Sequence, residues 1–323
     1  VSGNRERPVV AVLYREELPP RLRDIERLAE VRPVTAENLA GALAGADVLY
    51  QWHSFAPALR DNWHAASSLQ WIHVSAAGVD KLLFAELAHS DVVLTNSRGV
   101  LSRAIAEFAL GFVLDIAKDA QGSFLLQQQQ QWQHRVTRRI HGRRVLVVGT
   151  GSIGREIARL FRAVGMDVSG AGRTSRPGDA DFTDIHSSAD LAGVVGSFDF
   201  VVLAAPLTPD TRGMIGAEVF AAMKPSAHVI NVGRGELIQT DALVHALTGG
   251  DIAGAALDVV HPEPLSLGHP LWSMRNVVLT PHMSGDTESY LDELAELFVH
   301  NLQRFVQGEP LVNIVDKSLG FVR

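Results

Sequence analysis

The chain has no cysteine among its 323 residues. That excludes disulfides, thiolate metal sites and cysteine nucleophiles, and it leads us to expect a cytoplasmic protein. No apolar run approaches membrane-spanning length, so no membrane partner is expected. Charge of one sign is never bunched: the net charge is −7 with no long run of like charge, and nothing points to a nucleic-acid surface. No His/Glu pairing has ligand spacing, so no metal is expected. The opening VSGNRERPVVAVLY places charge just before a short strand and holds no secretory h-region. Val1 in place of an initiator Met leads us to expect either processing or a remnant of expression.

What is there suffices for two domains with proper cores, since the chain is long and 46% apolar. Residues 8–14, 47–52, 69–74 and 91–96 read as short strands, with helices around 20–30 and 36–45 between them. A long helix is expected from about 102 to 131; the glutamine run 127–131 reads as its solvated end and exit loop. Strand and helix then alternate from 143 to 281. The near-continuous apolar strands 145–148, 199–206, 227–232, 253–260 and 276–280 predict a parallel sheet covered on both faces. Tyr290, Leu291, Leu294, Leu297, Phe298, Leu302 and Phe305 form a helical stripe, read as core packing and ended by Gly308 and Pro310.

The most informative segment is VLVVGTGSIG at 145–154. A buried strand runs into a glycine turn and straight into an amphipathic helix carrying Ile153, Ile157, Leu160, Phe161 and Val164, which is the context of a dinucleotide-binding fingerprint. Gly149 permits the turn, Gly151 lets backbone approach a pyrophosphate, and Gly154 lets helix and strand pack closely. Ser152 and Ile153 stand at the helix start, where free N–H groups and the helix dipole hold phosphates. The alternative is a purely structural glycine turn.

Strand 166–173 ends in Gly172, where an NAD-type site usually places an acid for the ribose 2′-OH. Arg173, Thr174, Ser175 and Arg176 follow, two guanidinium groups flanking two hydroxyls, a combination suited to a 2′-phosphate. NADP(H) is therefore favoured, with NAD(H) possible. The alternative is an exposed basic loop, marked by Pro177 and Gly178.

Ligands of open parallel sheets sit beyond the carboxyl ends of the strands. Pro206, Leu207, Thr208 and Pro209 follow the third strand and are apolar enough to face a nicotinamide. Gly233, Arg234 and Gly235 follow the fourth, Asp258 and Glu263 the fifth, and His282 the sixth. Reduction of a 2-oxo acid needs a cation for the carboxylate and carbonyl, an acid for the developing alkoxide, and a carboxylate to orient that acid and favour its protonated form. Arg234, His282 and Glu263 supply those three functions on one sheet edge. Each has a plainer alternative: a turn arginine, a surface histidine, a loop glutamate.

The ordered set resembles the D-isomer-specific 2-hydroxyacid dehydrogenases: glycine loop, Pro-Leu-Thr, Asn-x-x-Arg-Gly, Leu-Asp-Val with Glu-Pro, and Pro-His, spanning roughly residues 69–290. The resemblance implies that Arg234 binds substrate, Glu263 orients and His282 is the acid/base. It implies substrate-carboxylate binding by the backbone of residues 75–80, including Ala76, Ala77 and Gly78. It further implies cofactor contacts at Pro206, Leu207, Thr211, Val232, Gly233 and Asp258, the last near the nicotinamide carboxamide. The implied fold is α/β, two Rossmann/flavodoxin-like doubly wound parallel-sheet domains with an interdomain cleft. Residues 1–98 and 285–323 would form a discontinuous substrate-binding domain and 99–284 the dinucleotide-binding domain. A homodimer is implied, with 121–142 contributing to the contact. Within the family the Gly172–Arg176 segment resembles NADPH-dependent glyoxylate/hydroxypyruvate reductases. Trp52-His53 resembles a substrate-side Trp, with simple packing of Trp52 as the alternative. Other readings are a 3-phosphoglycerate-type or other D-2-hydroxyacid dehydrogenase, and a nucleotide-sensing, corepressor-like binding scaffold.

Overall fold

Short runs of branched aliphatic residues set the strands. In the computed structural model, which describes residues 7–52 and 57–322, the chain divides into two compact units: Val1–Leu101 with Thr287–Arg323, and Ser102–Asp286. In the first unit β1 (Val9–Leu13) is buried at every position, as a central strand covered on both faces must be. It is followed by α1 (Leu22–Leu28), β2 (Glu30–Val34), α2 (Leu39–Leu43), β3 (Val48–Gln51), α3 (Ala58–Asp61), β4 (Trp71–Val74), α4 (Ala85–His89) and β5 (Val93–Asn96). All pairings are parallel in the order β2-β1-β3-β4-β5, a flavodoxin-like arrangement. The sequence reading left no strand between the first two helices. β2, with sequence EVRPV, lies at the sheet edge, where Pro33 and charged side chains are tolerated.

The second unit opens with α5 (Ser102–Lys118), which buries Ile105, Ala106, Ala109, Phe112 and Val113. The single helix expected over 102–131 is instead two. Asp119 adopts a left-handed φ of 50° and its carboxylate accepts the N–H of Gly122 at 3.2 Å, capping a new helix, α6 (Ala120–Gln128). Then follow β6 (Arg144–Val148), α7 (Ser152–Ala163), β7 (Asp167–Gly172), β8 (Arg176–Pro177), β9 (Asp184–Ser187), β10 (Phe200–Leu203), α8 (Ala217–Ala222), β11 (His228–Asn231), α9 (Thr240–Gly249), β12 (Gly254–Leu257) and β13 (Val277–Leu279). The sheet order is β13-β12-β11-β10-β6-β7-β9-β8. All of its pairs are parallel except β8 with β9, so the expected parallel sheet carries one antiparallel hairpin at its edge. The chain runs from β6 to β7 on one side and returns with β10 on the other. The topological switch point therefore lies at β6, where such sheets open a ligand crevice.

The chain then rejoins the first unit through α10 (Tyr290–Gln307). Its stripe buries Leu294, Ala295, Phe298 and Leu302, and Phe298 stacks on Tyr50 with ring centroids 3.7 Å apart.

Candidate active site

Three glycines of the β6–α7 turn serve three different purposes. Gly149 has φ 107°, and a Cβ there would lie 2.6 Å from the backbone of Ala204. At Gly154 a Cβ would stand 1.8 Å from the carbonyl oxygen of Gly149, so helix and strand meet closer than any side chain allows. Gly151 differs: no atom lies within 4 Å of where its Cβ would be. The turn is thus closed at its first and third glycines and open at its second, beside the N-terminus of a twelve-residue helix, which fits an approaching pyrophosphate. Ser152 Oγ pairs with Ser102 Oγ at 2.8 Å, joining the starts of α5 and α7, and Ile153 is half-buried in the first turn.

At the end of β7 the Thr150 side chain crowds the place of a side chain at Gly172. A Cβ on Gly172 would stand 3.1 Å from the Thr150 hydroxyl. Arg173, Thr174 and Ser175 are exposed, and Arg176 opens the two-residue strand β8 with its guanidinium 3.8 Å from the Asp179 carboxylate. The segment read as a loop is a tight hairpin. Asp179 accepts the N–H groups of Asp181 and Phe182, and a Cβ on Gly178 would collide with the Thr183 carbonyl. Hydrogen bonding from Arg155 holds the Asp179 carboxyl well below the usual carboxylate range. Burial acts to raise the Asp181 carboxyl, but bonds from Arg155 and Arg159 outweigh it and the net shift is downward.

Along the carboxyl edge each loop is held by its own polar residue. Thr211 Oγ1 donates to Pro206 O at 2.7 Å and accepts from Thr208 N at 2.8 Å, closing the loop in which Pro206 is exposed and Leu207 half-buried. After β11, Asn231 accepts the Gly233 N–H at 3.1 Å and donates to Arg234 O at 2.9 Å, so it fixes the backbone on both sides of the arginine. Val232 beneath them is buried. Gly235 brings this loop onto the next one: a Cβ there would lie 2.0 Å from Val260 O and 2.6 Å from His261 N.

The β12 and β13 loops converge on Asp258, which is 1% exposed. Its carboxylate accepts from Thr280 Oγ1 at 2.6 Å and from the N–H groups of Met283 and Ser284 at 3.0 and 2.9 Å. Its carbonyl takes the His282 N–H at 2.8 Å. This cage holds His282 at a left-handed φ of 55°, a conformation rarely adopted without such support. His282 Nδ1 then lies 3.1 Å from Glu263 Oε2, while Glu263 Oε1 accepts the Val260 N–H. His282 and Glu263 are therefore brought together directly, and the Arg234 loop abuts the loop of Glu263 through Gly235.

In the first unit, Ala76 and Ala77 follow β4 with their carbonyls engaged by Ser97 N and Asn96 Nδ2, and Gly78 is half-buried. Trp52 is 3% exposed and packs on Tyr50 at 5.7 Å, so its surroundings are those of a core side chain. His53 lies outside the described residues. The Asn-x-x-Arg-Gly motif contained Asn231 but gave it no role, and sequence reasoning missed Thr280, Arg155, Asp179 and Asp181, whose roles depend on long-range pairing. Among the described residues no helix is long and apolar enough to cross a membrane, and no group of three or more His, Asp or Glu side chains is placed to hold a metal ion.

A doubly wound sheet with an open glycine turn and an Arg/Glu/His set along the same edge defines a nicotinamide-dependent oxidoreductase. Comparison with known proteins narrows this. Residues 110–284 match the D-isomer specific 2-hydroxyacid dehydrogenase, NAD binding domain. A glyoxylate reductase of Pyrococcus furiosus is 31% identical over 309 residues, covering 93% of this chain and 91% of its own. A D-isomer specific 2-hydroxyacid dehydrogenase from Xanthobacter autotrophicus, solved with NADPH and MES, superposes with TM-score 0.82 at 30% identity, covering 97% of this chain and 99% of that one. An NADPH-dependent glyoxylate/hydroxypyruvate reductase from Sinorhizobium meliloti, solved with NADP and sulfate, gives TM-score 0.80 at 27% identity, covering 98% and 100%. The chain belongs to the D-isomer-specific 2-hydroxyacid dehydrogenase family.

Proposed function

We propose that the chain is an NADPH-dependent reductase of small 2-oxo acids, of the glyoxylate/hydroxypyruvate type, giving D-2-hydroxy acids. The observation that carries the chemistry is the Glu263–His282 pair, at 3.1 Å, on the sheet edge that also bears the open glycine turn. The relatives solved with NADPH or NADP, and the curated glyoxylate reductases, support the cofactor and substrate class.

The turn at Gly149, Gly151 and Gly154, with Ser152 and Ile153, would hold the pyrophosphate, and Arg173, Thr174, Ser175 and Arg176 the 2′-phosphate. Pro206, Leu207, Thr211, Val232, Gly233 and Asp258 would line the nicotinamide end; for Asp258 this is a backbone and packing role, because its carboxylate is taken up by Thr280, Met283 and Ser284. Once bound, the reduced nicotinamide supplies a hydride.

The chain's own residues handle the charge and the proton. Glu263 engages His282 Nδ1, which leaves Nε2 as the nitrogen that gives its proton to the carbonyl oxygen. The carboxylate at Nδ1 fixes the tautomer and the orientation of the ring. Arg234 neutralises the substrate carboxylate and the charge developing on oxygen. The family resemblance assigns the backbone at Ala76, Ala77 and Gly78 to the substrate carboxylate; the burial of Trp52 against Tyr50 favours the packing role over a substrate-side one.

We further propose a homodimer. Phe124 and Leu125 on α6 are about half exposed, and Trp132 and Val136 beyond it are almost wholly so. Arg135 and Arg138 tie this segment to the α5–α6 junction through Asp119, Ala117 and Lys118, giving an ordered apolar surface suited to a second copy.

The deciding experiment is initial-rate oxidation of NADPH, then NADH, with glyoxylate, hydroxypyruvate, pyruvate and phenylpyruvate. Rapid turnover of a small oxo acid with NADPH preferred supports the proposal. Cofactor binding without turnover of any of the four overturns it.

A further inference from the structure

The β8–β9 hairpin is too small to hold itself. β8 has two residues, pairs with β9 at only Arg176↔Ile185 and Pro177↔Asp184, and one of the two is a proline with no N–H. β9 is anchored in the sheet by three pairs to β7, and the turn between β8 and β9 is held in addition by α7. Arg155 donates to Asp181 at 2.6 Å and to Asp179 at 2.8 Å, with its guanidinium over the Phe182 ring. Arg159 donates to both oxygens of Asp181, at 2.9 and 3.2 Å. Asp181 itself is 7% exposed. Exposed ion pairs contribute little, but a buried carboxylate gripped by two guanidinium groups fixes geometry.

The helix that supplies the grip also carries the glycine turn at its N-terminus. Turn, helix and hairpin are therefore braced together, and the brace adds to the β6–β7 and β7–β9 pairing in fixing the Arg173–Arg176 segment relative to the glycine turn. We infer that Asp181, through Arg155 and Arg159, is a positioning residue for cofactor selectivity, holding Arg173 and Arg176 where a ribose 2′-phosphate is recognised. This rests on the NADPH reading above.

Two physical effects oppose one another at Asp181, and that makes the inference testable. Removing its charge leaves the neighbourhood more positive, which by charge alone strengthens binding of an anion. Releasing the hairpin weakens it. The probes are 2′,5′-ADP and 5′-AMP, which differ only in the 2′-phosphate, titrated calorimetrically into wild type, Asp181→Asn, Arg155→Gln, Arg173→Ala and Arg176→Ala.

The expected result for Asp181→Asn is about tenfold weaker 2′,5′-ADP binding, with 5′-AMP nearly unchanged. Arg155→Gln, which leaves Asp181 paired with Arg159, carries the same expectation in smaller measure and serves if Asp181→Asn does not fold. Tighter 2′,5′-ADP binding, or equal weakening of both probes, overturns the inference. Discrimination lost in Arg176→Ala but kept in both Asp181→Asn and Arg155→Gln overturns it alone. Discrimination kept in Arg173→Ala and Arg176→Ala overturns the 2′-phosphate reading and the inference with it.

Discussion

His282 presents Nδ1 to the Glu263 carboxylate at 3.1 Å from a backbone held at positive φ. The side-chain contact defines the tautomer, and the backbone contact to Asp258 defines where the ring points. Replacing His282 by Ala should lower kcat by roughly 10²–10⁴-fold, the range for loss of a general acid, with KM for the oxo acid little changed. Glu263→Gln should lower kcat on the order of 100-fold, since the neutral amide holds the ring orientation less firmly. Steady-state kinetics checks both; a His282→Ala enzyme with wild-type kcat removes the histidine from the mechanism.

Asp258 tests whether the loop's backbone matters separately from its side chains. Asp258→Asn keeps the volume but weakens the charge-assisted bonds from Met283 and Ser284. A loss of about 2 kcal/mol in unfolding free energy is expected, together with a fall in kcat, because His282 is no longer held in its left-handed conformation. Denaturant unfolding and turnover are measured on the same preparation. Destabilisation with full kcat would limit Asp258 to folding.

The glycine turn predicts two opposite outcomes from the same chemical change. Gly154→Ala drives a methyl into the Gly149 carbonyl, 1.8 Å from the site of the new Cβ, and should cost on the order of 4 kcal/mol. Gly151→Ala enters open space at an allowed φ of −80° and should leave stability within about 0.5 kcal/mol. It should nevertheless weaken cofactor binding roughly tenfold or more, because the methyl fills the face a phosphate approaches. Thermal melts and nicotinamide fluorescence titrations separate the two.

Cofactor switching should need two substitutions. Gly172→Asp alone brings its Cβ to 3.1 Å from the Thr150 hydroxyl and should gain little NADH affinity. Paired with Thr150→Ala, which vacates that space, the acid can reach a ribose 2′-OH, and the NADH Kd should fall relative to the single variant. Equal NADH affinity in the single and double variants would show that Thr150 is no obstacle.

His73 should make the protein acid-sensitive. It is fully buried in the first unit, with Nδ1 2.8 Å from Thr95 Oγ1, which also accepts from Trp71 Nε1. Burial pushes the imidazole down to about 3. Between the unfolded value near 6.5 and that folded value only the unfolded state takes up the proton. The contribution is complete above 6.5 and is lost as pH falls through this window, at about 1.4 kcal/mol per pH unit. The stability difference between wild type and His73→Gln should be flat above pH 7 and should shift steadily against wild type below pH 6.

The parts of the site that could be read in advance are those written locally. The turn at 149–154 is a local steric arrangement, legible because only glycine meets its three demands. Arg234, Glu263 and His282 could be placed because their strands are continuous apolar runs and parallel sheets present strand ends on one edge. β2 and β8 were not legible. Pro33 and Pro177 argue against strands by propensity, and both segments depend on tertiary contacts at a sheet edge: β2 on pairing with β1, β8 on pairing with β9 and on the α7 arginines that hold the turn. Asp119 breaks the long helix through one residue's φ, where the surrounding composition is still helical.

By itself, the sequence determined the doubly wound order, the glycine turn between strand and helix and the chemical identity of the edge residues. Each of these follows from steric and hydrophobic demands felt over ten or twenty neighbouring positions. Tertiary structure alone decided that Asp258 cages His282, that Thr150 stands against Gly172, and that Arg155 and Arg159 brace the hairpin through Asp181. Those contacts join segments far apart in the chain, and a polar side chain's role depends on which partner remains once burial has removed water from it.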